Sequence, residues 1–547
     1  MKSSAGRLGL LALLLAASLT SSLATQTATV TTSDPVSFAK GISRVMRPVQ
    51  PDEVFTVIAV NGDLITIADV DGYQATLSRS VLKITNPLPS PTPVTNTAPT
   101  ESPVTNVSPS AGLPATVISP NSPPSSQPPV SPVISPEDAG MIKKLNDAFQ
   151  ISLWANTNLW NEDVGAVAGR LNWPQESNTS FDASYRHYAL GNQGVTILGT
   201  RAYSMALYAR NGHPDYVSIM FVNKGDFGEC EEINKKEHSH VPVSADEIEK
   251  ATDDLNAAVK KDAETINTLL TALLGDPEIR VFGIAADNRE DVHRWDWNGH
   301  AILLSCPHNE YAAIKIIPSD VADHYGDVNN LDRESIKEAL AKRVLKRDNG
   351  DVVLQDIPMV DQGPKGYCVP ATWERYLRYV DVPADMYVLA MFGNTGMGGG
   401  TNLTGMREGV NSYVESYHRR VETTDVPLDV DHLADFIDQG LPLMWGCYVI
   451  KDVEKKIHDH TFIDRKTVTD WDAYKAKLQA DDKSLVPVSQ ADPDFAEHGH
   501  MRMIIGYNAQ TDEFAISDSW GQRFAERWIT VKEAQNISQN ELDYVQW

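Results

Sequence analysis

The sequence predicts a chain of four parts: a short all-β module, a proline-rich linker, an α+β middle domain and a second α+β domain at the C-terminus. Three observations predict it. The 547 residues exceed what one core holds, at about 150 residues per domain. Residues 86–136 hold 15 of the chain's 32 prolines and a single charge, Glu101, so they separate what flanks them. Hairpin signals cluster before that segment, whereas helical and strand-like patterns intermix after it. Hydrophobic residues at 42% and charged residues at 22% are ordinary globular usage and exclude global disorder. The 47 basic and 73 acidic residues give a net charge of −26, which excludes a phosphate-tracking nucleic-acid binder, because such proteins carry a basic patch.

The N-terminus reads as a leader. Lys2 and Arg7 precede the apolar run Leu8 to Leu19, and Ser22, Leu23 and Ala24 give a small-x-small cleavage pattern, so residues 1–24 are expected to be a signal peptide. The run falls short of the ~20 apolar residues that cross a bilayer, and no later stretch comes closer. The mature protein is therefore expected to be exported (secreted, periplasmic or at the cell surface) without stable membrane insertion. No cysteine follows the leader, so a bacterial lipid anchor is not indicated.

Residues 35–85 form the small β module. Between Val54 and Thr85 the runs VFTVIAV, LITIADV, YQATL and VLKI are separated by Asn61-Gly62-Asp63 and Asp71-Gly72, turn sequences that supply the positive φ of type I′ hairpins. In strand spacing and turn chemistry the module resembles a bacterial Src-homology-three-like barrel. That resemblance implies tethering or binding; a spacer without a ligand is the alternative. Residues 86–136 then form an extended linker of polyproline character, with no aromatic or basic anchor that favours recognition over spacing.

Residues 137–348 read as an α+β domain of unknown role. Ser244 and Glu247 form a capping box, Ile248, Leu255, Val259, Ile266, Leu270 and Leu273 recur at helical spacing, and Gly275 with Pro277 ends the helix. VTILGT, YVSIMFV, VFGIAA, HAILLS and YAAIKII are strand-like. His238, His240, His293, His300 and His308 lack the spacing of a specific zinc site. Cys230 and Cys306 are candidates for a disulfide in an exported protein, which sequence alone does not pair.

Residues 349–547 carry the chemistry. Cys368 ends the segment Asp361-Gln-Gly-Pro-Lys-Gly-Tyr-Cys and opens a helical pattern marked by Trp373, Leu377 and Val380, with Pro370 in its first turn. A cysteine at a helix N-terminus meets free N–H groups and the positive end of the dipole, which stabilise its thiolate. Gln362, six residues upstream, is placed to donate to an oxyanion. The partner base is expected at His500, in the strand-like run GHMRMIIGY, with His498 as a rival. A turn centred near Ala509 makes facing residues sum to about 1018, which sets His500 opposite Asp518 on one face of a hairpin. The apolar setting of Cys447 marks it as a core residue.

Gln-Gly-x-x-x-x-Cys at Gln362 to Cys368, His500 followed by Gly506-Tyr507, and Asp518-Ser-Trp-Gly521 together resemble the papain-like cysteine peptidases. Asp where papain has Asn, and Cys-Val-Pro-Ala where the family has Cys-Trp, shift the resemblance toward the bacterial branch that includes double-glycine-leader peptidases, which use a Cys-His-Asp triad. Gly400-Thr401 before the helix MREGVNSYV, and the helix Val430 to Asp438 followed by Gly440 and a strand, agree with that branch. The resemblance implies an α+β papain-like domain in which Cys368 is the nucleophile, His500 the general base and acid, Asp518 the orienting member and Gln362 the oxyanion donor. It implies an exported peptidase that acts on protein or peptide substrates through a thioester, with no metal or organic cofactor. The charged stretch from Lys451 to Glu497, ending just before His500, reads as a wall or lid of the cleft, or as a surface excursion. Two rival functions stand beside this one: hydrolysis of cell-wall peptide crosslinks, motivated by the small barrel and linker, and a non-catalytic adhesion or scaffold role that keeps only the fold. A pro-segment role for the middle domain is a further expectation, from its position before Gln362.

Overall fold

The computed structural model describes strands at residues 27–30, 36–40, 43–47, 54–61, 64–68, 74–78 and 82–85. It also describes residues 134–546, apart from 190–193, 286–288, 328–332, 484, 486 and 488–498. The leader, residues 86–133 of the linker and the rival base His498 lie outside the described residues. The chain divides into two compact units, the first drawn from residues 1–135 apart from 41–43 and the second from residues 136–547 with 41–43.

In the first unit seven strands form one sheet in the order β3-β2-β6-β5-β4-β1-β7. They are β1 (Thr27–Val30), β2 (Val36–Lys40), β3 (Ser43–Arg47), β4 (Val54–Asn61), β5 (Leu64–Ala68), β6 (Gln74–Ser78) and β7 (Leu82–Thr85). Asn61 faces Leu64, so the first hairpin closes through two residues where the Asn-Gly-Asp sequence stands. Phe55, Ile65 and Ile67 are buried. β1 pairs with both β4 and β7, a strand whose short TATV sequence had given no pattern to read.

Among the described residues the second unit contains two eight-stranded sheets and a two-stranded ribbon. The first has strands β8 (Gln175–Asn178), β9 (Asp182–Tyr188), β12 (Ser204–Arg210), β13 (His213–Asn223), β14 (Glu278–Phe282), β15 (Glu290–Trp297), β16 (His300–Ser305) and β17 (Tyr311–Pro318). All neighbours are antiparallel, in the order β14-β15-β16-β17-β13-β12-β9-β8; β10 (Val195–Ile197) and β11 (Thr200–Ala202) form a separate ribbon. Helices α1 (Pro136–Phe149), α2 (Val164–Leu171), α3 (Gly228–His238), α4 (Ala245–Leu274) and α5 (Ser319–Asp323) accompany it, whereas Ile336 and Leu340 of α6 (Arg333–Ala341) pack with Trp373 and Leu377 in the next core. The capping box at Ser244 and Glu247 starts α4, and Gly275 caps its end. Its buried stripe Leu255, Val259, Ile266 and Leu270 packs against β13, β15 and β17. Cys230 and Cys306 are both free thiols, so the disulfide considered for an exported protein does not form: Cys230 is buried on α3, and Cys306 is exposed just beyond β16.

The second sheet runs β18 (Val344–Lys346), β19 (Asp351–Leu354), β22 (Gly499–Asn508), β21 (Leu443–Tyr448), β25 (Ser538–Gln546), β20 (Arg420–Thr424), with β23 (Glu513–Ser517) pairing both β22 and β24 (Arg527–Thr530). α7 (Cys368–Tyr379), α8 (Met386–Phe392), α9 (Leu403–Ser416), α10 (Val430–Ile437) and α11 (Lys451–His458) complete it. Beyond Cys368, α7 is buried from Val369 to Tyr379 because it lies between the two sheets. Trp373, Tyr376 and Leu377 pack with Met444, Met501 and Met503 of the second sheet. On its other side Tyr367, Ala371 and Tyr387 pack with Met220, Tyr311 and Ala313 of the first. Charged contacts also cross this junction: Tyr208 hydroxyl donates to Glu374 at 3.0 Å, and Arg378 pairs with Asp182. Gly440, at φ 83°, turns the chain from α10 toward β21 where a Cβ would lie 2.4 Å from the Leu340 carbonyl oxygen. Among the described residues no helix is long and apolar enough to cross a membrane.

Candidate active site

Cys368 is the first residue of α7, as the sequence predicts, and lies partly exposed. The backbone N–H groups of Val369 and Met501 and the His500 imidazole all act on its sulfur to favour the thiolate. Burial alone would raise the thiol pKa; the hydrogen bond and charge of His500, with the two backbone donors, outweigh it and bring Cys368 below the ordinary 9.0. His500 is the second residue of β22 and is buried. Its Nε2 meets Asp518 Oδ1 at 2.9 Å, which leaves Nδ1 as the nitrogen for Cys368. Burial works against the imidazolium, yet the Asp518 hydrogen bond and the Cys368 thiolate together raise His500 above its usual 6.5.

The hairpin delivers this contact by a different register from the one the turn implies. Met503 faces Ser517 and Ile504 faces Ile516, and beyond the bulge between Ile504 and Gly506 the pairs become Gly506 with Ala515 and Asn508 with Glu513. The sums are thus 1020 and 1021, not 1018, because the turn is longer than assumed and one extra residue is accommodated at Ile505. At 1020 the residue opposite His500 is Trp520, and the two rings stack at 4.5 Å and 24°. Asp518 instead stands level with Arg502 and reaches diagonally to His500. A displacement of two leaves every side chain on its expected face, which is why the contact survives the wrong arithmetic.

Asp518 is completely buried. Besides His500 it accepts from Arg502 Nε at 2.8 Å, from Arg527 Nε at 3.1 Å and from Arg527 Nη2. Glu454, from α11, accepts from Arg502 and, at 2.9 Å, from Arg527 Nη1. Two arginines and two carboxylates therefore close a neutral buried cluster behind the histidine. Burial would raise the Asp518 carboxyl; Arg502, Arg527 and then His500 hold it well below 3.8. Arg502, Arg527 and Glu454 escaped the sequence reading. The one available signal was Arg502, two residues beyond His500 and hence on the same strand face.

Gln362 is buried beside the Asp-Ser-Trp-Gly segment. Its backbone N–H donates to Ser519 O at 2.9 Å, Ser519 Oγ donates to its Oε1 at 2.8 Å, and its Nε2 donates to Lys365 O at 3.0 Å. One amide hydrogen is thereby fixed and the second is left for another acceptor. Cys447 faces His500 across the β21–β22 ladder; burial pushes its thiol up to about 12, the condition of an inert core cysteine. The Lys451–Glu497 stretch contributes α11, and with it Glu454, to the support of the site.

Residues 354–546 match the Peptidase_C39 like family. The C-terminal third is thus similar to papain-like cysteine peptidases of the branch its motifs resemble. A solved structure, xylellain, a cysteine protease from Xylella fastidiosa, is 12% identical, covers 40% of this chain and 93% of its own, and has a TM-score of 0.25, at which the likeness carries no argument. No curated protein matches.

Proposed function

We propose that this chain is an exported cysteine peptidase that hydrolyses protein or peptide substrates through Cys368, His500 and Asp518. The observation that carries the proposal is the His500–Asp518 hydrogen bond beside Cys368 at a helix N-terminus, within a region similar to a peptidase family. The Cys368 thiolate attacks the scissile carbonyl carbon and the carbonyl π electrons move to oxygen. Gln362, through its second amide N–H, donates to that oxyanion. Collapse expels the amine, which takes its proton from the His500 imidazolium, and leaves a thioester on Cys368. Neutral His500 then removes a proton from water, the hydroxide equivalent attacks the thioester, and the acid is released with the thiolate restored. Asp518 holds the imidazole with Nδ1 toward sulfur throughout.

Export rests on the leader at residues 1–24, and the small β module followed by the proline-rich stretch gives the catalytic part a tethered or spaced setting. The test is hydrolysis of a fluorogenic peptide library by the mature chain, with Cys368→Ala and His500→Ala as controls. Turnover lost in both variants supports the reading; turnover kept in Cys368→Ala refutes it.

A further inference from the structure

The segment that links β19 to Cys368 contains a lysine that the proposed chemistry does not use. Lys365 lies in the Gly-Pro-Lys-Gly loop, yet its side chain is 1% exposed and pairs with Asp226 in the turn that follows β13 of the first sheet. Its Nζ donates to Asp226 Oδ1 at 3.2 Å and to the Tyr387 hydroxyl at 3.0 Å, and lies 3.1 Å from Asp226 Oδ2. The rings of Tyr188, Tyr367 and Tyr387 surround it at 5.1, 5.3 and 4.8 Å. Asp226 is itself fixed, since Asn223 Oδ1 accepts from the Gly225 and Asp226 backbone N–H groups at 3.1 and 3.0 Å. A buried ion pair contributes little net stability over an apolar replacement; what it specifies is where its two ends sit. The backbone end of this pair is the Lys365 carbonyl, and that carbonyl holds the Gln362 amide.

We propose that Asp226 and Lys365 are positioning residues: through their buried ion pair the first sheet fixes the Lys365 carbonyl, and that carbonyl aims Gln362 at the oxyanion. The inference rests on the cysteine-peptidase reading above. Neighbouring contacts hold the same loop from the same sheet. Met359 N–H donates to Ser177 Oγ at 3.0 Å, Asp361 N–H to Glu176 Oε1 at 2.9 Å, and the Tyr188 hydroxyl to Asp361 O at 2.5 Å. At Gly225 an added Cβ would lie 2.6 Å from the Tyr367 ring, so the β13–α3 turn abuts the residue before the nucleophile. The first sheet thus holds the loop that carries Gln362 at several points.

The test compares two reactions of Cys368 in the full mature chain. Iodoacetamide alkylates the thiolate by displacement and forms no oxyanion, whereas p-nitrophenyl acetate acylates it through a tetrahedral oxyanion and releases nitrophenolate. Lys365→Met, Asp226→Asn, Gln362→Ala and the double variant Gln362→Ala/Lys365→Met are measured beside wild type. Alkylation is expected to keep its rate and pH dependence in all of them. Acylation is expected to fall about 100-fold in Gln362→Ala and at least about tenfold in Lys365→Met and Asp226→Asn, with no further loss in the double variant. Three results overturn the proposal: a wild-type ratio of acylation to alkylation in Lys365→Met and Asp226→Asn; multiplied losses in the double variant; or equal loss of both reactions in Lys365→Met and Asp226→Asn, which marks a support for folding only. A wild type whose Cys368 alkylates like an ordinary thiol refutes the peptidase reading itself and the relay with it, an outcome told apart from the others because it needs no variant.

Discussion

Replacing Asp518 by Asn separates the two jobs of this carboxylate, orienting His500 and neutralising the arginines behind it. Asp518 accepts four hydrogen bonds from charged donors: His500 Nε2, Arg502 Nε, and Nε and Nη2 of Arg527. Asparagine still offers one oxygen but presents its NH2 to an arginine, and among the described residues Glu454 is left as the only carboxylate hydrogen-bonded to Arg502 and Arg527. Leaving a buried charge uncompensated costs about 3–5 kcal/mol, a large share of the 5–15 kcal/mol by which domains are typically stable. A charged hydrogen bond is worth about 1.5–3 kcal/mol, and losing the one from Asp518 lowers His500 from its raised position. The sign follows from which form is stabilised. Asp518 raises His500 by favouring the imidazolium, so without the carboxylate the thiolate–imidazolium pair dissolves at lower pH. Urea denaturation reads the first effect, and the carbon-13 shift of the His500 ring against pH reads the second. Adding Arg527→Met to Asp518→Asn restores neutrality, so it is expected to recover most of the stability and none of the pH shift. The reasoning is refuted if Asp518→Asn unfolds at the wild-type urea concentration, or if both changes are reversed together by Arg527→Met.

Three further outcomes follow from the same geometry. Peptide hydrolysis is expected to be bell-shaped in kcat/KM against pH, with an acid limb below the ordinary thiol value of 9.0 because Cys368 is lowered, and a basic limb above 6.5 because His500 is raised; an acid limb at the free-thiol value would contradict it. Cys447→Ala is expected to keep full activity and cost about 1 kcal/mol in urea denaturation, since the thiol only fills the core beside His500; loss of turnover with stability intact would show that Cys447 takes part in the reaction. Gly506→Ala is expected to destabilise by about 1–3 kcal/mol, because a Cβ there would lie 2.4 Å from the Val352 carbonyl oxygen, and a melting temperature equal to wild type would show that β19 yields.

What the sequence discloses depends on how local its cause is. The start of α7 at Cys368, the capping box of α4, the turn of the first hairpin and the strand carrying His500 are all set by neighbours within a few residues, and all four stand where the pattern puts them. The β22–β23 register is less local: a bulge at Ile505 and a longer turn shift it by two, and the ring stacked on His500 is Trp520. The charges that support Asp518 were beyond reach. Arg502 and Arg527 occupy strand positions, and a charged residue in a strand ordinarily signals a solvated face. Their burial depends on Glu454, which is 48 residues before Arg502 in a helix that reads as a charged insertion. Lys365 misleads for the same reason: in a Gly-Pro loop it reads as an exposed lysine, and only the tyrosines and Asp226 of distant elements make the site that buries it.

The central claim is that Cys368 and His500 form an activated thiolate–imidazolium pair. The most direct measurement is site-resolved alkylation: limiting iodoacetamide over a pH series that brackets the ordinary thiol value of 9.0, with labelling of all four cysteines followed by peptide mass spectrometry in wild type and His500→Ala. The account predicts that Cys368 labels first and well below that pH, that Cys447 stays unlabelled while the protein is folded, and that the advantage of Cys368 is lost without His500. Labelling of Cys368 only near pH 9.0, unchanged in His500→Ala, would contradict it.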